Sequence, residues 1–266
     1  MGKAIFFTSF KGGVGKTTAA ANIALPLCAL GYKVLIIDAD FGNRCMDLVL
    51  GTESFGVFDF LDVLRGTCPL EKAIIKVSKK ASNLSFIPAP MNYNMTKDKI
   101  DPQKIYEYCK TLKEQYDYVL IDSSAERTPV YDAFAAVSDM AIIVSLPHST
   151  SIRAAENTAI ELARFGFTDI RLIINAYHEK ETKKKKLPEI SSVVGRSGIK
   201  LLGVVPFDIN LLIDQNNGVT ALYGKRKRRL NPYEAAYTNI VYRLIGSRRE
   251  LLKDVYKPKK GSEYFS

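Results

Sequence analysis

Residues 8 to 18 read Thr-Ser-Phe-Lys-Gly-Gly-Val-Gly-Lys-Thr-Thr, a run that brings backbone freedom, positive charge and hydroxyls together. Gly12, Gly13 and Gly15 let the chain turn tightly enough for N–H groups, with that of Val14 among them, to converge on phosphate oxygens; a helix opening at the end of the run adds the positive end of its dipole. Lys16 is placed to bridge β- and γ-phosphates, and Thr18 to meet the α-phosphate. The Thr17 hydroxyl suits Mg²⁺, which takes few protein ligands and completes its octahedron with phosphate oxygens and water. Lys-Gly-Gly-x-Gly-Lys-Thr arises by chance on the order of 10⁻⁵ times per chain of this length at average residue usage. A run of this kind between a strand and a helix predicts a phosphate loop, with Mg-ATP as its expected ligand.

Carboxylates close two apolar runs. Val34 to Ile37 ends in Asp38-Ala39-Asp40, and Tyr118 to Ile121 ends in Asp122. At the carboxyl end of a parallel strand such groups face the ligand crevice. Asp122 reads as the second acidic motif of a phosphate-loop enzyme, meeting Mg²⁺ directly or through water. Aspartates at strand ends also cap turns, so the position alone leaves both roles open.

The position five before Gly15, where an ordinary phosphate loop has its first glycine, is Phe10, and a second lysine, Lys11, stands beside it. With this deviant loop and the acidic motifs, the chain resembles the MinD/ParA family of ATPases, on its MinD side, and the likeness runs through Gly246. The resemblance implies an ATP-dependent homodimer in which Lys11 reaches across the interface to the phosphates of the partner's ATP. A cation supplied that way neutralises transition-state charge only once the dimer has formed. The resemblance also implies that Asp40 lies in a first switch and positions the attacking water, which makes Lys11, Lys16 and Asp40 the catalytic set. Asp38 falls near the water shell of the metal, and Asp47 is structural. Asn175, Pro206 and Asp208 match adenine-reading positions. An amide can pair with both a donor and an acceptor on the base edge, although a turn-forming Asn and Pro would look the same locally.

Two positions depart from the family pattern. Ser123-Ser124-Ala125-Glu126-Arg127 replaces the usual Ser-Pro-Ala-Gly second switch, and Arg153-Ala154 replaces an Arg-Asp pair. The first bears on hydrolysis rate and the second on partner contacts.

Positioning these groups requires a sheet. Short apolar runs at 4–8, 34–37, 84–87, 118–121, 141–146, 172–175 and 201–205 fit buried parallel strands. Helical spacing occupies 17–30, 56–65, 102–115, 151–165 and 232–245. The alternation predicts an α/β fold, a doubly wound, mostly parallel sheet with helices on both faces; the resemblance makes it a P-loop NTPase of the SIMIBI type. Residues 1–246 are expected to form one ATPase domain and 247–266 a basic tail. The first helix contains Pro26, where proline forces a kink. The loosest stretches are expected at 179–188, 224–231 and after Gly246.

Composition bounds the partners. Apolar residues make up 47% and charged residues 25%, enough for a sizeable core. Four scattered cysteines, without C-x-x-C spacing, argue against zinc and for free thiols in a reducing cytoplasm. No run is long and apolar enough to span a bilayer. The formal net charge of +10 favours polyanions, whether nucleic acid or an anionic membrane face. Lys183 to Lys186 and Lys225 to Arg229 could touch DNA phosphates, but such runs are most often solvated surface. In the tail, Leu251, Leu252, Val255 and Tyr256 share one helical side among bases, at the place where MinD proteins carry a membrane-targeting helix. Pro258 limits that helix, and a tail packed on the body is the competing expectation. His148 and His178 read as loop or strand-end residues.

The expected function is therefore a MinD-type ATPase switch that positions partners at a cellular surface, as in cell-division site placement. It would be cytoplasmic, or peripheral on the inner face of the membrane, and the sequence names no protein partner. The alternatives are a ParA-like partitioning ATPase on nonspecific DNA and a weakly hydrolysing nucleotide-dependent adaptor.

Overall fold

A computed structural model describes residues 1–53, 57–78, 81–217 and 230–256. Its centre is an eight-stranded sheet in the order β3-β4-β2-β5-β1-β6-β7-β8. The strands are β1 (Lys3–Thr8), β2 (Val34–Ala39), β3 (Ile75–Ser78), β4 (Ala81–Ile87), β5 (Tyr118–Ser123), β6 (Met140–Ser145), β7 (Ile170–Tyr177) and β8 (Lys200–Pro206). Every neighbouring pair is parallel except β3 with β4. The near-continuous apolar runs follow from burial on both faces. Along β1, Ile5 and Phe7 enter one core while Ala4 and Phe6 enter the other.

The first core is covered by α1 (Lys16–Ala29), α2 (Met46–Leu50), α10 (Ile209–Asn216) and α11 (Pro232–Leu244). The second is covered by α3 (Phe60–Arg65), α4 (Leu70–Ala73), α5 (Pro102–Gln115), α6 (Pro129–Ala136), α7 (Ser149–Arg164) and α9 (Ile190–Ser197). A short α8 (Glu179–Lys183) follows β7. β1 lies between β5 and β6, so the strand order reverses around it, and the crevice beyond its carboxyl end is where such sheets bind ligands.

Several boundaries differ from expectation. The helix expected from Gly56 begins at Phe60, because Asp59 accepts from Leu61 and Asp62 N–H while the Asp62 carboxylate returns to Asp59 N, a capping box that sets the start. The stretch expected to be loose at 179–188 contains α8, whereas α1 runs through Pro26 as the expected 17–30 helix does. The run 225–229, Pro258 and the end of the tail lie outside the described residues.

Residues 247–250 have no regular structure and 251–256 form turns rather than an α-helix, and the segment is held to the body. Val255 is fully buried in the first core, the Arg243 guanidinium donates to the Arg249 carbonyl at 2.8 Å, and Asn239 Nδ2 donates to the Lys253 carbonyl at 2.8 Å. No described helix is long and apolar enough to cross a membrane.

Candidate nucleotide site

The chain leaves β1 through Ser9 and Phe10 and enters α1 at Lys16, with Gly13 at φ 71° and Gly15 at φ 95°. Both angles lie in the left-handed region that glycine adopts freely. Val14 anchors the loop by burying its side chain completely, while Gly12 and Gly13 remain exposed. The head of the loop is fixed to α7 and α6. Phe10 N donates to Thr158 Oγ1 at 3.1 Å, and the Phe10 ring lies 5.7 Å from that of Tyr131.

β2 and β5 bring two buried carboxylates to this loop, with Asp38 and Asp122 in register across the strand pair. Asp38 accepts from Asp40 N at 3.0 Å and from Met46 N at 3.2 Å, and so shapes the segment between β2 and α2. Burial, then the Asp122 charge, pushes its carboxyl well above the ordinary value, against the pull of those two N–H groups. Asp122 is pushed up to about 7, chiefly by burial; the Thr17 hydroxyl and the Lys16 ammonium draw it down, and Asp40 raises it. Burial lowers Lys16 while Asp122 and Asp40 oppose the shift. Asp40 is half-buried and accepts from Asn43 Nδ2 at 3.3 Å. Asp47 is held by Arg44 at 2.7 Å.

Do these groups fit Mg²⁺? Asp122 Oδ1 is buried with no hydrogen-bond partner, an arrangement that is costly unless a cation or water completes it. It shares its surroundings with Lys16 and Thr17. Among the described residues, no group of three or more His, Cys, Asp or Glu could hold a metal by itself. A cation that takes one or two protein oxygens plus phosphates and water matches this sparse set. Thr17 and Asp122 fit it as ligands; Asp38, with both oxygens engaged by backbone, fits it only through water.

A cleft of about 740 Å³ opens over the loop. Gly12, Gly13, Lys16 and Thr17 form its floor, Asp40 to Asn43 and Cys45 one side, and Ser124 to Glu126 with Thr128 another. Tyr93 and Met95 complete the wall, with the Tyr93 ring 5.3 Å from Phe41. That contribution escaped sequence reading because the loop after β4 reaches the cleft only through the adjacency of β4 and β2.

On the opposite flank, Asn175 Nδ2 donates to the Val14 carbonyl at 2.8 Å. Ala176, at φ 51°, and a register shift between Ile174 and Tyr177 turn the end of β7 at this point. Such irregularities re-aim side chains beside sites. Tyr177 pairs with Pro206, and Asp208 caps α10 through Asn210 N at 3.0 Å while its Oδ2 is buried without a partner. Gln215, which no motif marks, donates from α10 to Thr18 Oγ1 at 2.6 Å. Lys11 stands at the exposed rim, donating to Thr150 Oγ1 at 2.6 Å. Of the expected site residues, Gly12, Gly13, Gly15, Lys16, Thr17, Thr18 and Asp40 line the cleft, Asp38 and Asp122 are buried at the strand ends and Asn175 meets Val14, while Lys11, Pro206 and Asp208 are not among its lining residues. His148 and His178 instead precede α7 and α8, and His178 stacks on Phe207 at 4.6 Å.

A phosphate loop at the switch point of a doubly wound sheet, with acidic strand ends beside it, defines a P-loop ATPase. Residues 2–165 match the family model described as "AAA domain". The septum site-determining protein MinD of Synechocystis sp. is 33% identical over 246 residues, covering 92% of this chain and 90% of that protein. The MinC:MinD cell division protein complex of Aquifex aeolicus contains a chain that superposes with a TM-score of 0.84 at 33% identity, covering 94% of this chain and 98% of that one. MinD of Pyrococcus horikoshii, solved with Mg-ADP, gives 0.80 at 26% identity over 92% and 97%. The chain belongs to the MinD family and is a MinD-type ATPase.

Proposed function

We propose that this chain is an ATP-driven dimerising switch of cell-division site placement, binding Mg-ATP in the cleft and engaging a surface or partner in the ATP state. The observation that carries the reading is the buried Asp122, with one oxygen unpartnered, beside Lys16 and Thr17 at the floor of the cleft. In this reading the N–H groups of Gly12 to Gly15 and the Lys16 ammonium hold the phosphates, and Thr18 meets the α-phosphate. Thr17 and Asp122 hold Mg²⁺, Asp38 reaching it through water. When bound, that cation neutralises charge that builds on the transferred phosphoryl group. Asp40 orients the attacking water, and Asn175, Pro206 and Asp208 face the base.

Lys11 supports the dimer. Its ammonium is exposed and bonded to a neutral hydroxyl, so among the described residues a partner's phosphates would compete with Thr150. The relatives, septum site-determining proteins, support the division role. As for the surface, the described part of the tail packs into the body, so a membrane anchor there requires release of residues 247–256 or use of 257–266. The lysines at 183, 184 and 186 pair with Glu179 and Glu181, which leaves less free charge for DNA.

Co-sedimentation of the purified protein with anionic liposomes, in Mg-ATP against Mg-ADP, tests the surface. Light scattering after size exclusion tests the dimer. Pelleting and a doubled mass with ATP alone are the expected results. A monomer with both nucleotides ends the switch reading, and ATP-dependent, salt-sensitive retention on nonspecific DNA in place of liposomes supports the partitioning alternative.

A further inference from the structure

The segment 123–127 at the end of β5, expected to be the second switch, has a defined anchorage. Arg127 Nε donates to Asp132 Oδ1 at 2.8 Å and Nη2 to Asp132 Oδ2 at 3.2 Å, a fork onto α6. Nη1 donates to Glu161 Oε2 on α7 at 3.0 Å, and the guanidinium carbon lies 4.7 Å from the centre of the Phe165 ring at the end of that helix. Arg164 holds the other oxygen of Glu161. The residues on either side of Arg127, namely Ser124, Ala125, Glu126 and Thr128, line the nucleotide cleft.

We propose that Arg127 is a positioning residue for ATP hydrolysis: its clamp on Asp132, Glu161 and Phe165 holds the Ser124–Thr128 wall at a fixed distance from the phosphate loop. This rests on the reading of the cleft as the ATP site.

A single exposed ion pair contributes little, because solvent screens it and the side chains lose freedom. Arg127 differs in three ways. Its planar fork meets one carboxylate with two bonds, a second carboxylate fixes the remaining arm, and an aromatic face covers the cation. Together these permit one orientation.

The wall also has its own turns. Ser124 Oγ donates to the Glu126 carbonyl at 2.6 Å, and Thr128 Oγ1 caps α6 by accepting from Tyr131 N at 3.1 Å. Those bonds shape the wall; among the described residues, Arg127 is the one that hydrogen-bonds it to α7.

The destination of the clamp matters. α7 also receives Phe10 N at Thr158 and Lys11 at Thr150, so the head of the phosphate loop and the second-switch wall share one platform. Arg127 thus sets the spacing between two sides of the cleft without touching the loop that holds the phosphates. A misplacement of about 1 Å costs on the order of 100-fold in a reaction that depends on alignment, whereas affinity resides mainly in the loop itself. The effect of Arg127 therefore falls on kcat.

The experiment measures steady-state Mg-ATP hydrolysis by the full chain for Arg127→Ala, Arg127→Lys, Glu161→Gln and Lys16→Ala, with binding of a fluorescent ADP analogue and a thermal melt for each. For Arg127→Ala we expect kcat to fall about tenfold while KM and ADP affinity stay within about twofold, the signature of an interaction that acts in the transition state. Arg127→Lys falls between, since an ammonium cannot span the fork and cover the ring. Glu161→Gln, which leaves the wall sequence intact, moves kcat in the same direction. An unchanged kcat in folded Arg127→Ala overturns the proposal. So does loss of ADP binding in step with a lowered melting temperature, because that marks Arg127 as a residue of the fold. Lys16→Ala separates the two readings. If it hydrolyses ATP normally, the cleft is not the ATP site; if it is inactive while Arg127→Ala turns over at the wild-type rate, only the clamp fails.

Discussion

Asn175 and Val14 meet across the top of the sheet, the amide of one donating to the carbonyl of the other at 2.8 Å. The contact locks the end of β7 to the phosphate loop. It also leaves no room beside Gly15, where an added Cβ would stand 2.4 Å from Asn175 Nδ2.

Gly15→Ala should therefore abolish tight nucleotide binding in a chain that still folds. Its φ of 95° is disfavoured for any residue with a Cβ, by roughly 1–2 kcal/mol. Displacing Asn175 adds about 1 kcal/mol for the lost hydrogen bond. Together these weaken a fluorescent ADP analogue by more than about tenfold. Wild-type affinity in a variant with wild-type circular dichroism would show that the loop does not need this geometry.

The phosphate loop was readable because its demands are local, with glycine, lysine and hydroxyl at set distances along one turn. The central strands were readable for a similar reason, since burial on both faces leaves apolar runs such as Val34 to Ile37. β3 was missed because its Ile75-Lys76-Val77 alternation is too short to stand out at a sheet edge. Gln215 was missed because its meeting with Thr18 depends on where α10 packs. The lysines after β7 looked like an open basic loop, yet Glu179 and Lys183, a turn apart, pair at 2.8 Å in α8. The tail showed apolar residues at helical spacing, and Val255 spends its side chain in the core. For Gln215 and Val255 the deciding neighbour is distant in the chain.

Cys45 should be the fast thiol, and Mg-ATP should protect it. It is exposed on the cleft wall, whereas Cys68 and Cys109 are buried. Burial pushes Cys28 and Cys109 up to about 12. Burial, then the carboxylates of Asp38, Asp40, Asp122 and Asp47, raises Cys45 as well. Because the thiolate is the reacting form, a raised pKa means that its labelling rate keeps climbing past the ordinary value near about 8.5. Maleimide labelling read by mass spectrometry between pH 7 and 10 checks both points. A plateau near pH 8.5, or no slowing by ATP, would count against this placement.

Gly203→Ala should destabilise the fold without affecting the cleft chemistry. A Cβ on Gly203 in β8 would lie 2.2 Å from Ile240 Cγ1 and 2.9 Å from its Cδ1, and α11 cannot retreat without opening the first core. Overpacking of this kind costs about 1–3 kcal/mol. The urea midpoint should fall at an unchanged slope, and Ile240→Ala in the same chain should recover part of the loss, since the two sites share one space. Additive losses would mean that the residues do not compete.

Arg243→Ala should free the tail while leaving the nucleotide site intact. The Arg243 guanidinium donates to the Leu202 carbonyl at 2.6 Å, the Leu201 carbonyl at 3.2 Å and the Arg249 carbonyl at 2.8 Å, so one side chain joins β8, α11 and the turns after Gly246. Removing it leaves those carbonyls to find water, at about 1–3 kcal/mol where they stay buried. Limited trypsin digestion should then cut after Arg248, Arg249 or Lys253 several times faster than in the unaltered chain, because local opening governs proteolysis of packed segments. ADP affinity should not move, as none of these contacts reaches the cleft. If the tail is the membrane anchor, the same variant should also pellet with anionic liposomes more readily, its apolar side chains having been released from the core. Faster digestion without increased pelleting would separate release of the tail from lipid binding and move the search for a surface contact elsewhere on the molecule.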